Sequence, residues 1–200
     1  MTKKYVTVLN TRPFLFRETK IIADLMAKGL SKEEIKKKVI EENIFQLSNT
    51  DRARRFYSEI NKRLTQLDDF LLEKLVSTDS STAKGILLYA LLKRDQLFYE
   101  WMREVVFDKY LILAGKVLKK ETLYFIESKS EQSETVRNWH PETKKKLISA
   151  YHHVLCEAGM ARENKEELIL YRILLDSSVK NYLIEQKEKA IVEVLIGAYV

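Results

Sequence analysis

The sequence predicts an all-α protein, a chain of many helices in two subdomains, on three observations. Apolar residues recur at three- and four-residue steps along most of the chain, which is the spacing that gathers side chains on one helix face. Only 5 Gly and 2 Pro interrupt 200 residues, too few for a turn-rich sandwich or barrel. Those few, with Ser, Asp and Asn, fall where helices start and stop. A hydrophobic content of 46% and a charged content of 32% describe a globular protein long enough to bury its own core without staples.

The first third reads as three helices. Residues 5–9 form a strand or an extended arm, and Pro13 suits the first turn of a helix that runs to about Lys28. Ile21, Ile22, Leu25 and Met26 supply its inner face, and Gly29 closes it. Ser31 with Glu34 makes a capping box for the next helix, which turns Ile35, Val39 and Ile40 inward and Lys36, Lys37 and Lys38 outward. Residues 44–49 connect, and Ser48, Asn49 or Thr50 caps the third helix. Three helices on short connections are helix-turn-helix-like. The third, TDRARRFYSEINKRLTQL over 50–67, carries an unbroken stripe of Ala53, Phe56, Tyr57, Ile60, Leu64 and Leu67. Opposite and beside that stripe stand Arg52, Arg54, Arg55, Lys62 and Arg63, against which the segment sets only Asp51 and Glu59.

Asp68 caps a short helix bearing Phe70, Leu71, Leu72, Leu75 and Val76, and 77–81 is a polar loop suited to a hinge. From 82 to 113 two helices broken near Asp95 form a scaffold, with Leu97, Phe98, Trp101, Met102, Val105 and Val106 in the core. Gly115 marks a break before a helix over 121–129 and a shorter one over 133–138. Trp139, His140 and Pro141 form a junction, because the residue before proline leaves helical geometry while proline fits a first turn. The helix that starts there reaches Ala158, buries Leu147, Ile148, Tyr151, Val154, Leu155 and Ala158, and exposes Lys145, Lys146, Ser149, His153 and Cys156. Gly159 ends it. Residues 161–172 alternate weakly, which suggests a strand pair and with it a winged-helix-like carboxyl-terminal part, although 166–175 reads equally as helix. The boundaries that follow are 1–76 for an amino-terminal helical subdomain, 77–117 for the central scaffold and 118–200 for the carboxyl-terminal subdomain.

A net charge of +6 and a pI near 9.2 suit a polyanionic partner, either nucleic acid or an anionic membrane surface. The basic faces of the two long helices are the candidate DNA-binding residues: Arg52, Arg54, Arg55, Lys62 and Arg63 on one, Lys144, Lys145, Lys146, Ser149 and His153 on the other. Together they are expected to line one positive groove on double-stranded DNA. Asn61, Thr65 and Gln66 add hydrogen-bonding groups beside the first. The same faces also suit an acidic protein surface in an assembly adaptor, and charge alone does not separate DNA from RNA.

Enzymatic chemistry finds no foothold. No glycine-rich phosphate loop is present. His152, Cys156 and nearby His140 are the only constellation suited to a metal, and a structural zinc wants four ligands where this chain has one cysteine. No metal and no cofactor are expected. Asp68, Asp69 and Glu73 have ordinary capping and solvating roles. The apolar runs at 86–92 and 190–200 fall short of the roughly 18–20 residues that span a bilayer. With no secretion signal and a lone cysteine, a cytoplasmic, reducing location is expected.

The chain resembles the BrxA family, the small helical component of BREX phage-resistance systems of bacteria and archaea. The likeness lies in RPFLFRETKIIADLMAKGLSKEEI over 12–35, EENIFQLS over 41–48 and the basic helix ending RLTQL, and it resumes in VRNWHPETKKKL over 136–147 and LCEAGM over 155–160. It implies an all-helical DNA-binding protein without catalytic activity of its own, encoded beside a DNA methyltransferase, an ATPase and a phosphatase-like protein. Some family members carry an inner-membrane label, for which this sequence offers no apolar span.

Overall fold

The computed structural model describes residues 5–200 and is mostly helical, with one small sheet. After a 3-10 turn at Val8–Asn10 come α1 (Phe16–Ala27), α2 (Lys32–Ile40), α3 (Thr50–Leu64) and α4 (Asp69–Ser77). The central part holds α5 (Ser80–Arg94) and α6 (Gln96–Trp101), which continues through a π-helical turn at Met102–Val106 into α7 (Phe107–Leu111). The chain then forms β1 (Lys116–Leu118), α8 (Lys119–Gln132), α9 (Glu134–Arg137), α10 (Pro141–Ala158), β2 (Ala161–Asn164), β3 (Glu167–Leu170), α11 (Ser177–Glu185) and α12 (Lys189–Ile196).

The start and stop signals of the sequence act as expected at most positions. Ser31 and Glu34 form the capping box of α2, and Gly29 closes the turn after α1 at φ 82°. Asn49 is the residue that caps α3, its side chain accepting from the Arg52 amide. Asp68 caps α4, and Asp95 both ends α5 and caps α6. His140 and Pro141 open α10, and Gly159 closes it at φ 80°.

The amino terminus differs from expectation. The segment at 5–9 is neither strand nor arm but leads into the 3-10 turn, and Pro13 lies in a loop rather than in α1. Helix α1 begins only after Leu15, which holds a left-handed conformation at φ 56°. For a branched residue this costs on the order of 1–2 kcal/mol, so its surroundings must impose it. They do: Phe14 and Leu15 are buried, and Thr19 donates back to the Leu15 carbonyl at 2.7 Å. Farther on, α3 ends at Leu64 rather than 67, and the polar loop at 77–81 shrinks to Thr78 and Asp79. Helices α2 and α3 are joined through residues 41–49, longer than the turn of three or four residues in a helix-turn-helix.

The strand pair at 161–172 is present as β2 and β3, and the alternative of helix over 166–175 is not. Residues 116–118 carry no strand pattern in the sequence, yet as β1 they make the sheet three-stranded in the order β1-β3-β2, antiparallel throughout. Val117 faces Leu168 across one pair and Ala161 faces Leu170 across the other.

Helix α5 is the centre of the core. Ile86 to Leu92 are buried without interruption, so the helix is apolar all round and must be surrounded. Against it pack α3, α4, α6, α10 and α12. Beside it Phe98, Trp101 and Tyr151 form an aromatic cluster with ring centroids 4.9–5.8 Å apart. The indole Nε1 of Trp101 donates to Thr122 at 3.2 Å, and the Thr122 hydroxyl lies 2.9 Å from His152 Nε2. The Thr122 hydroxyl donates to Nε2 or accepts from it according to the tautomer, and burial keeps the His152 ring neutral at pH 7. This burial corrects the idea of His152 as an outward ligand beside Cys156, because the ring is only 1% exposed.

Burial lowers the His152 pKa to about 4. Between pH 6.5 and 4 the unfolded chain therefore takes up a proton that the folded chain refuses, so this residue removes stability as pH falls, on the order of 3 kcal/mol at the acid end. Buried Asp95, raised to about 6, acts in the opposite sense over an overlapping window, gaining stability as it protonates. The contribution of His152 is isolated by comparing urea unfolding of wild type and His152→Gln from pH 7 to pH 4.5. The variant, which keeps a polar partner for Thr122, is expected to lose less stability on acidification; equal losses would assign the acid sensitivity elsewhere.

Candidate nucleic-acid interface

Helix α3 forms where the sequence places it because Ala53, Phe56, Tyr57, Ile60 and Leu64 are buried as one stripe. Its basic residues then divide. Arg52, Arg54, Arg55 and Lys62 are exposed. Arg63 is not: its side chain is 0% exposed, which corrects its placement on the DNA-binding face. The reason is helical geometry combined with a partner four residues earlier. Glu59 is buried on the same flank and accepts from Arg63 Nε at 3.3 Å, while Arg94 of α5 donates to the two Glu59 oxygens at 3.1 and 3.3 Å. The remaining guanidinium nitrogens of Arg63 donate to the carbonyls of Phe14 at 2.8 Å and Arg12 at 2.7 Å. Burial still pushes the Arg63 pKa down to about 10, with Glu59 opposing the shift, so the group stays charged at neutral pH.

Arg63 thus fastens the loop at 12–14 to α3. The same loop is fastened to α10, where Asn10 donates to the Thr143 carbonyl at 3.1 Å and the Phe14 amide donates to Glu157 at 3.3 Å. The two basic helices consequently become the walls of one groove of about 710 Å³. Its floor is Leu9, Asn10, Thr11, Arg12 and Pro13. Arg52, Arg55 and Phe56 of α3 form one wall; Glu142, Lys145, Lys146, Ser149 and His153 of α10 form the other. A smaller cavity of about 240 Å³ adjoins it, with Arg12 and Arg55 lining both. Val8, Arg54, Ser58, Glu59, Lys62 and Arg94 complete this second space.

Most residues singled out in the sequence therefore converge, although α3 and α10 stand about ninety positions apart in the chain. Lys144 does not join them: it is half-buried, and its ammonium donates to the Arg137 carbonyl at 3.3 Å. Arg12 and Arg94 belong to the site and were not anticipated. Arg94 carried no signal beyond being the last cation of an apolar helix. Arg12 sits alone among uncharged neighbours, at the first position of the segment that carries the family resemblance.

The groove and the cavity beside it are strongly cationic. Among the described residues Arg12, Arg55, Lys62, Lys145 and Lys146 have no carboxylate partner, and Arg52 lies over the Phe56 ring at 5.0 Å. Arg54 is paired with Asp51 at 3.2 Å, and His153 lies 3.5 Å from Glu157. Polar side chains of Asn10, Thr11 and Ser149 stand between the cations. Such a mixture suits phosphate oxygens. The single aromatic lining residue, Phe56, is buried, so the groove offers no ring on which a base can stack. Among the described residues no cluster of three His, Cys, Asp or Glu side chains is placed to hold a metal, and no helix is long and apolar enough to cross a membrane.

Comparison with known proteins identifies the family. The family model of BrxA matches residues 3–187. The chain is 33% identical to a protein of Bacillus cereus (strain H3081.97) named BREX protein BrxA, over 96% of each chain. It is 22% identical to a protein of the same name from Paramagnetospirillum magneticum (strain AMB-1), over 88% of this chain and 87% of the other. A crystal structure of an uncharacterized protein from Magnetospirillum magneticum shares the fold, with a TM-score of 0.81 at 20% identity over 97% of this chain and 99% of that one. The chain belongs to the BrxA family.

Cations gathered for a ligand repel one another while the ligand is away, so removing one is expected to leave folding intact. Arg55→Ala and Lys146→Ala should each change unfolding free energy by less than about 0.5 kcal/mol or raise it. A loss above about 2 kcal/mol in urea unfolding would show that the residue holds the fold rather than a ligand.

Proposed function

We propose that this BrxA-family protein is a non-enzymatic DNA-binding accessory factor of a BREX phage-defence system, which grips the phosphate backbone of double-stranded DNA in the groove between α3 and α10. The observation that carries the reading is the convergence on one groove of two basic faces from distant parts of the chain. Unpartnered arginine and lysine side chains hold phosphates, while Asn10, Thr11 and Ser149 supply further hydrogen bonds. No aromatic platform favours unstacked bases, so backbone contact to a duplex suits the groove better than a splayed single strand. The absence of a base-reading pattern in the lining makes modest sequence preference the expectation.

The carboxyl-terminal part supports the same reading. Helix α7, β1, α8, α9, α10 and the β2-β3 hairpin follow one another in the order of a winged helix, and the sheet order β1-β3-β2 suits it. We assign α10 the recognition position and the hairpin at 161–170 the wing. Membership of the family further suggests work alongside the other components of such a system, a methyltransferase, an ATPase and a phosphatase-like protein. In the competing role of an assembly adaptor the groove would meet an acidic protein surface instead.

Binding of labelled duplex DNA across a salt series tests the proposal. Neutralising four to six phosphates gives a log-log slope of roughly −4 to −5. The Arg52, Arg55, Lys62 triple alanine variant is expected to flatten that slope by about 2 to 3. A wild-type protein that ignores duplex DNA at low salt, or one that prefers duplex RNA in competition, would overturn the reading.

A further inference from the structure

The smaller cavity beside the groove has no part in the two-walled clamp, yet its lining is organised. The carboxylate in its lining, Glu59, is fully engaged: Arg94, which also lines the cavity, donates to both of its oxygens, and buried Arg63 beneath donates to one of them. No free carboxylate oxygen of Glu59 therefore repels an anion entering above it. Its rim is unbalanced, since Arg12, Arg55 and Lys62 have no carboxylate partner among the described residues. The Ser58 hydroxyl adds an exposed donor. At about 240 Å³ the space is below the usual size of a pocket for a whole small molecule. It suits one tetrahedral oxyanion group.

Spacing on α3 shows how that group is presented. Arg52, Arg55, Ser58 and Lys62 follow at steps of three, three and four, which aligns them along one helix face. With a rise of about 1.5 Å per residue, Lys62 lies about 10 Å along the axis from Arg55. Arg52 and Arg55 line the groove, Arg55 also lines the cavity, and Lys62 lines the cavity alone. The row crosses from one space into the other without interruption.

We infer that the second cavity is a phosphate seat for the same DNA strand that occupies the groove, with Lys62, Arg55 and Arg12 as its donors. The inference rests on the DNA-binding reading above and extends it: α3 runs along the backbone and contacts a phosphate beyond the two-walled part of the groove. Free phosphate offers the same chemistry from another source, and the test separates the two.

Lys62→Gln is compared with wild type in duplex binding across a salt series, with Lys120→Gln, an exposed lysine of α8 that lines neither space, as the control for net charge. Loss of one phosphate contact is expected to flatten the slope by about 0.9 in Lys62→Gln and to leave Lys120→Gln near wild type. Equal slopes for wild type and both variants would overturn the seat while leaving the groove reading intact. Absence of duplex binding by wild type would overturn both. Inorganic phosphate alone is the second probe: binding that depends on Lys62, together with an unchanged duplex slope, would make the cavity a separate small-anion site and contradict its use by the strand. Matching urea unfolding curves for the three proteins confirm that the fold is not at issue, as expected for exposed side chains.

Discussion

One buried guanidinium sets the distance between the two basic helices. Arg63 is enclosed on α3, and a charge in that position is tolerable only if every donor finds a partner. Glu59 supplies one from the preceding turn, and the carbonyls of Arg12 and Phe14 supply the others. Satisfying Arg63 therefore requires the loop at 12–14 to lie against α3. The loop is also tied to α10 through Asn10 and Glu157, so α3 and α10 are held at a separation defined by a single layer of chain.

This division of labour explains how a basic helix can serve both a core and a ligand. Charges that are fully enclosed, Arg63 and Glu59, are paired and structural, whereas exposed Arg52, Arg55 and Lys62 lack carboxylate partners. The repulsion among the exposed cations is small: two unit charges about 10 Å apart in water interact with about 0.4 kcal/mol, and salt screens that further. A folded chain with the large apolar core around α5 accommodates several such pairs. A partner bearing regularly spaced negative charge gains from all of them together.

Much of the fold was legible in the sequence because its punctuation is local. The capping box at Ser31 and Glu34, the Asp68 and Asp95 caps, the Pro141 start and the Gly159 stop act within one turn of chain and need no tertiary partner. Strand β1 was not legible, since three residues show no period and Lys116 to Leu118 become a strand only through pairing with β3. The site divides along the same line. The α3 and α10 faces follow from helical phase, and their shared groove was expected; the means of joining them was not. Arg63 looked like its neighbours because only a fraction of a turn separates an edge position from a buried one on a helix flank, and only Arg94, Arg12 and Phe14, all distant in sequence, decide which it is. Arg12 and Arg94 enter the site through that contact, and Lys144 leaves it through a carbonyl of the preceding short helix.

The central claim is that two helices grip a single strand of the duplex, and it is tested most directly by photo-crosslinking. A photoreactive amino acid replaces Arg52 on α3 in one protein and Ser149 on α10 in another, each bound to a duplex whose strands carry different labels. Facing walls of one groove predict that both positions attach to the same strand within a few nucleotides of each other. Attachment to opposite strands, or attachment from one helix alone, would contradict a shared groove and assign α3 and α10 to separate tasks.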